Sequence, residues 1–131
     1  MIIGLDTSVL VRLLVGSPPE MLDRAVAYLD ELRLSDHEAV ASDLAIAEAY
    51  FALQHHYQIP KKVALASLHQ LFASGMIGCS PHTLALLALP SLDTAKPGFV
   101  DRLIHAGYTK NADGMATFEK SAKKLPRTLV L

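Results

Sequence analysis

At 131 residues, 51% apolar and 19% charged, the chain has the size of one domain and too much apolar content for disorder. A formal net charge of −1 excludes a strongly basic protein and leaves any nucleic-acid contact to a local patch. The single cysteine, Cys79, excludes an internal disulfide framework and a Cys-rich metal centre, which fits a reducing cytoplasm.

Met1 to Leu5 is a short, isoleucine-rich apolar run that predicts a buried strand ending at Asp6. No basic region leads into a long apolar run there, so no signal peptide is expected. Thr7 to Leu14 predicts a short helix. Ser17-Pro18-Pro19-Glu20 has the composition of a helix start, with Ser17 as cap and Glu20 at the capping-box position. Leu22, Ala25, Val26, Leu29 and Leu32 then recur at helical spacing. Ala39 to Ala41 predicts a second strand, and Ser42 or Asp43 caps a helix to about Tyr57.

Pro60 opens the next helix, with Ala64, Leu68, Leu71 and Phe72 on one side. Met76 to Cys79 predicts a third strand, and Ser80-Pro81 starts a helix to about Leu89. Residues 63–92 carry no Asp, Glu, Lys or Arg, yet Ser74-Gly75, Gly78 and Ser80-Pro81 divide the stretch. Each half falls short of the roughly 20 residues needed to cross a bilayer. Pro90 to Gly98 predicts a loop and Phe99 to about Tyr108 a helix. A fourth strand (Gly114 to Phe118), a short helix (Glu119 to Lys124) and a last strand (Thr128 to Leu131) close the chain. Strands alternating with helices predict one α/β domain over residues 1–131, with parallel strands and helices on both faces.

Ligands of open parallel sheets bind beyond the carboxyl ends of the strands. Four acids fall there: Asp6 after strand one, Glu48 in the helix after strand two, Asp101 in the first turn after the long loop, and Glu119 after strand four. Each has a structural alternative. Asp6 can cap a helix, and Asp101 and Glu119 favour helix starts through the macrodipole. Glu48 is flanked by Ala45, Ile46, Ala47, Ala49, Tyr50, Phe51 and Ala52, with no Lys or Arg between Arg33 and Lys61. A carboxylate on such a helix loses solvation unless a partner compensates, and a metal ion would supply the missing charge. Oxygen-only ligands suit Mg²⁺ or Mn²⁺, ions that can activate water and neutralise a phosphodiester in its transition state.

These residues, in this order, resemble the PIN-domain ribonucleases and among them the VapC-type toxins of bacterial toxin–antitoxin pairs. Ile3-Gly4-Leu5-Asp6-Thr7-Ser8-Val9-Leu10 is similar to the first motif and Ala41-Ser42-Asp43-Leu44-Ala45-Ile46-Ala47-Glu48 to the second. Phe99-Val100-Asp101-Arg102-Leu103-Ile104 is similar to the third and Ala116-Thr117-Phe118-Glu119-Lys120 to the fourth. The resemblance covers essentially the whole chain. It implies a three-layer α/β/α sandwich with a four- to five-stranded parallel sheet, and Mg²⁺- or Mn²⁺-dependent cleavage of RNA. It further implies Asp6, Glu48 and Asp101 as metal ligands, Glu119 as a fourth catalytic acid, and Ser8 and Thr117 as supporting hydroxyls. The implied partners are a homodimer mate and a small antitoxin. The fourth motif usually carries Asp, and the extra methylene of Glu119 moves the carboxylate by about 1.5 Å. Asp113 is another source of that charge, although it precedes the strand.

Two rivals follow from the same residues. A phosphohydrolase of the haloacid dehalogenase type also places Asp after strand one, but it wants a second Asp where Ser8 stands. A degenerate nuclease domain kept as a protein-binding module would explain Glu119. Among His37, His55, His56, His69, His82 and His105 no spacing forms a zinc motif. His105, one turn after Asp101, is either a surface residue or within reach of the acids or a phosphate. Arg12, Arg102, Lys110, Lys120, Lys123, Lys124 and Arg127 are candidates for phosphate contacts as well as ordinary surface charges. No Walker loop or dinucleotide fingerprint occurs, and Cys79 reads as a core residue.

Overall fold

The computed structural model describes residues 1–131. β1 (Ile2–Gly4) leads into α1 (Thr7–Val15) and α2 (Pro19–Leu34). β2 (Glu38–Val40) leads into α3 (Asp43–His55), followed by α4 (Lys61–Ala73) and α5 (Pro81–Leu87). A 3₁₀ turn at Leu92–Thr94 precedes α6 (Phe99–Asn111). β3 (Met115–Thr117), a 3₁₀ turn at Lys120–Lys124 and β4 (Thr128–Val130) complete the chain. No helix is long and apolar enough to cross a membrane.

The expected sandwich around a four- to five-stranded parallel sheet is not present. The molecule is helix-rich, and its strands form two separate two-stranded parallel sheets, β1 with β2 and β3 with β4. The predicted strand at Met76 to Cys79 is reduced to a parallel bridge between Gly78 and Val40. The physical reason lies in the ends and faces of these segments. Asp6 and Ser42 start helices within two residues of β1 and β2, so neither strand can lengthen. A wide parallel sheet is covered on both faces, whereas Ile2 in β1 is 68% exposed and Leu129 in β4 is 62% exposed.

Helix packing supplies the core. One cluster of 21 buried residues draws on α1 to α6 and β2, and Ile3 of β1 packs against it half-buried. α3 is its axis, presenting Ala45, Ile46, Ala49, Tyr50 and Leu53 inward. Its alanines remove bulk where neighbouring helices approach, and α1 and α4 both pack on it. Tyr50 meets Phe99 edge-on, with ring centroids 5.2 Å apart, and so ties α3 to the start of α6.

Local chemistry sets most helix ends. The Ser42 hydroxyl accepts from the Ala45 amide at 3.1 Å and caps α3. Gly16 closes α1 in the left-handed region at φ 75°, its amide bonded to the Arg12 carbonyl. α2 differs from expectation: Pro18 occupies the cap position without a side-chain bond, so Ser17 lies one residue too far out to cap. Gly114 is required by close approach, because a Cβ there would sit 2.8 Å from the Arg127 carbonyl oxygen where β3 meets β4.

Ile46 is fully buried and Leu44, two residues earlier, is 70% exposed. Ile46→Ala is expected to lower stability by about 2–5 kcal/mol through the cavity it leaves. Leu44→Ala should stay within about 0.5 kcal/mol of the parent. Urea denaturation of the two variants checks the contrast.

Candidate functional site

Asp6 sits where β1 gives way to α1. Its backbone is extended and its carboxylate turns back, accepting from the Ser8 hydroxyl at 2.9 Å and the Ser8 amide at 3.4 Å. The carboxylate is thus the N-cap of α1 and still faces solvent. The Ser8 hydroxyl first, then the amides of Ser8 and Thr7, hold its pKa below the usual carboxylate range. Thr7, the next residue, donates its hydroxyl to Glu48 Oε2 at 3.1 Å. One capped turn therefore governs two acids from segments far apart in sequence. Glu48 itself is exposed. The expectation that it lacks solvation is wrong, because it lies on the outer face of α3 and water serves it.

Asp101 and Glu119 line a second feature, a cleft of about 810 Å³ that also takes in Phe51, Gln54, Lys96 and Ser121. Phe51 follows Glu48 by one turn on the same face of α3, so the cleft opens one turn away from Glu48. Glu119 caps the 3₁₀ turn after β3, accepting from the Ser121 hydroxyl at 2.7 Å and the Ser121 amide at 3.1 Å. Those bonds, with a smaller contribution from the charge of Lys96, hold its pKa below the usual range. Thr117 shapes this turn by accepting from the Glu119 amide at 3.0 Å.

The four acids thus fall into two pairs, Asp6 with Glu48 through Thr7 and Asp101 with Glu119 across the cleft. No group of three or more His, Cys, Asp or Glu side chains is arranged to hold a metal ion. Asp6, Glu48 and Asp101 are therefore not assembled into a three-acid cage. The four carboxylates are exposed and offer oxygen only, the donor type that hard divalent cations prefer.

Other residues depart from their sequence-based reading. His105 is buried and bonds the Pro126 carbonyl at 2.7 Å, bracing α6 against the segment before β4 and bonding neither acid. Arg102 donates to the Pro97 carbonyl at 2.8 Å and pins the loop ahead of α6. Asp113 lies in a separate groove beside Arg127, away from the other acids. Sequence reasoning missed the cluster of Asp43, His82 and Thr83. With Ser42 serving as cap, Asp43 is free to accept from His82 at 2.6 Å and from the buried Thr83 hydroxyl. Burial first, then the charge of Asp43, pushes the half-buried Cys79 thiol above its usual pKa, so it stays protonated and unreactive. The available signal was Ser42-Asp43, two capping residues in tandem where a helix needs one.

No known protein family matches the chain, and no curated protein or solved structure shows significant similarity to it.

Both capped acids have depressed pKa values, so the stability they contribute is present above the ordinary carboxylate range and lost as pH falls from that range through their lowered values. Carbon-13 titration of the side-chain carboxylates should place Asp6 and Glu119 below ordinary Asp and Glu. Ser8→Ala should raise Asp6 alone, and Ser121→Ala should raise Glu119 alone.

Proposed function

We propose that this chain is a divalent-metal-dependent endoribonuclease of the toxin class. The observation that carries the reading is the bond from Thr7 to Glu48, since it ties the residue next to the first motif's acid to the acid of the second. The reading rests on this ordered set of acids and not on a central sheet. Asp6 and Glu48 would hold Mg²⁺ or Mn²⁺, which when bound supplies an activated water and neutralises charge on the phosphodiester.

The chain's own groups prepare that site. Ser8 lowers the pKa of Asp6 and fixes the direction of Oδ2. Thr7 orients Glu48 from the same turn. Lys96, lining the cleft with Asp101 and Glu119, offers a cation to a phosphate. On this reading the substrate is RNA, the setting is cytoplasmic, and a homodimer mate and a small antitoxin are the protein partners. The bonds from Ser121 to Glu119 favour a second reading, in which the fourth acid has become a structural cap and the domain binds a protein.

Purified protein incubated with RNA decides between them. Cleavage is expected only with Mg²⁺ or Mn²⁺, and Asp6→Asn and Glu48→Gln should each reduce it by about a hundredfold or more. Asn also caps helices, so Asp6→Asn should keep the urea midpoint of the parent. Ser8→Ala should cost about 10- to 100-fold by loosening Asp6. Absence of metal-dependent cleavage, or equal cleavage by Asp6→Asn, overturns the nuclease reading and leaves the binding module.

A further inference from the structure

Ser8 faces two ways. Its hydroxyl holds Asp6, and the same residue lines a groove of about 560 Å³ between α1 and α2. Arg12 lines the groove from α1, one turn after Ser8, and Arg24 and Tyr28 line it from α2. Arg12 is half-buried. One of its terminal nitrogens donates to the Ser17 carbonyl and the other to the Tyr57 hydroxyl at 3.1 Å, while its Nε is buried without a partner. Those acceptors are neutral. No carboxylate lies within 4.0 Å of Arg12 or Arg24, and the only ion pairs are Arg33–Asp30 and His82–Asp43. Glu31 lines the same groove beyond that reach.

A half-buried guanidinium without a counter-charge calls for an anion. Two arginines flanking an exposed tyrosine match a single-stranded nucleic acid, whose phosphates pair with guanidinium and whose bases stack on aromatic rings. We infer that the groove between α1 and α2 is the subsite for the RNA strand flanking the scissile phosphate. Arg12 and Arg24 receive its backbone phosphate and Tyr28 stacks a base. This subsite rests on the nuclease reading, because Ser8 connects the groove to Asp6. An acidic peptide is the competing occupant, but it would leave the flat face of Tyr28 without a matching partner.

The test is fluorescence anisotropy of the full chain with a labelled single-stranded RNA of about 12 nucleotides, in EDTA so that no cleavage occurs. Arg24→Gln is exposed and should fold normally. It should weaken binding severalfold, equally for different sequences, and lower the salt-dependence slope by about 1. Tyr28→Ala should weaken binding without changing that slope. Arg33→Gln, outside the groove, should bind as the parent does. Cleavage is measured separately with Mg²⁺. If the parent cleaves RNA but Arg24→Gln binds it unchanged, the groove assignment fails and the nuclease reading survives. If binding depends on Arg24 and Tyr28 without cleavage, the groove binds RNA but flanks no scissile phosphate, and the catalytic reading fails. If the parent binds polyglutamate and not RNA, the subsite is overturned in favour of a peptide.

Discussion

β1 runs for three residues because Asp6 accepts from Ser8 and commits the chain to α1 at that point. That cap fixes more than a helix end. It sets the direction of Thr7, which reaches Glu48 on α3, and of Ser8, which lines the groove between α1 and α2. α1 is held in place by its packing against α3, where alanines admit close contact. The turn at Asp6 is therefore rigid on both sides while its carboxylate remains in water. A group with that support keeps its charge and its direction without help from a ligand.

The acids divide in the same way that the strands do. The first sheet carries Asp6 at its end and leads through β2 to Glu48, whereas the second carries Glu119. α3 and the Tyr50–Phe99 contact connect the halves, bringing Asp101 and Glu119 to a cleft one turn from Glu48. Asp6 and Glu119 are held by neighbours close in sequence and Glu48 by a single hydroxyl, and all four acids are exposed. Such a site is open to solvent and to an extended polyanion, and it depends little on a closed interior.

Helices were legible in the sequence where a local signal starts or stops them, as with Ser42 before α3 and the prolines of α2 and α5. Strand pairing was not. A three-residue apolar run has the same composition in a five-stranded sheet as in an isolated pair, and only distant packing decides its neighbours. The order of the acids could be read directly, but their meeting could not. Glu48 was misjudged because an apolar helix with alanine on several faces does not reveal which face turns outward. His105 was misjudged for the opposite reason: helical spacing placed it below Asp101, whereas its partner, the Pro126 carbonyl, lies beyond any local pattern.

The carboxylate of Asp43 stands at the start of α3 and binds two side chains from the first turn of α5. One negative charge therefore serves the positive poles of two helices at once. The Thr83 hydroxyl is sealed from water and the Nδ1 atom of His82 is buried without a mate, so water cannot replace a partner lost at this corner. Truncating any one of Asp43, His82 and Thr83 therefore strands a polar group of another at the junction of α3 and α5.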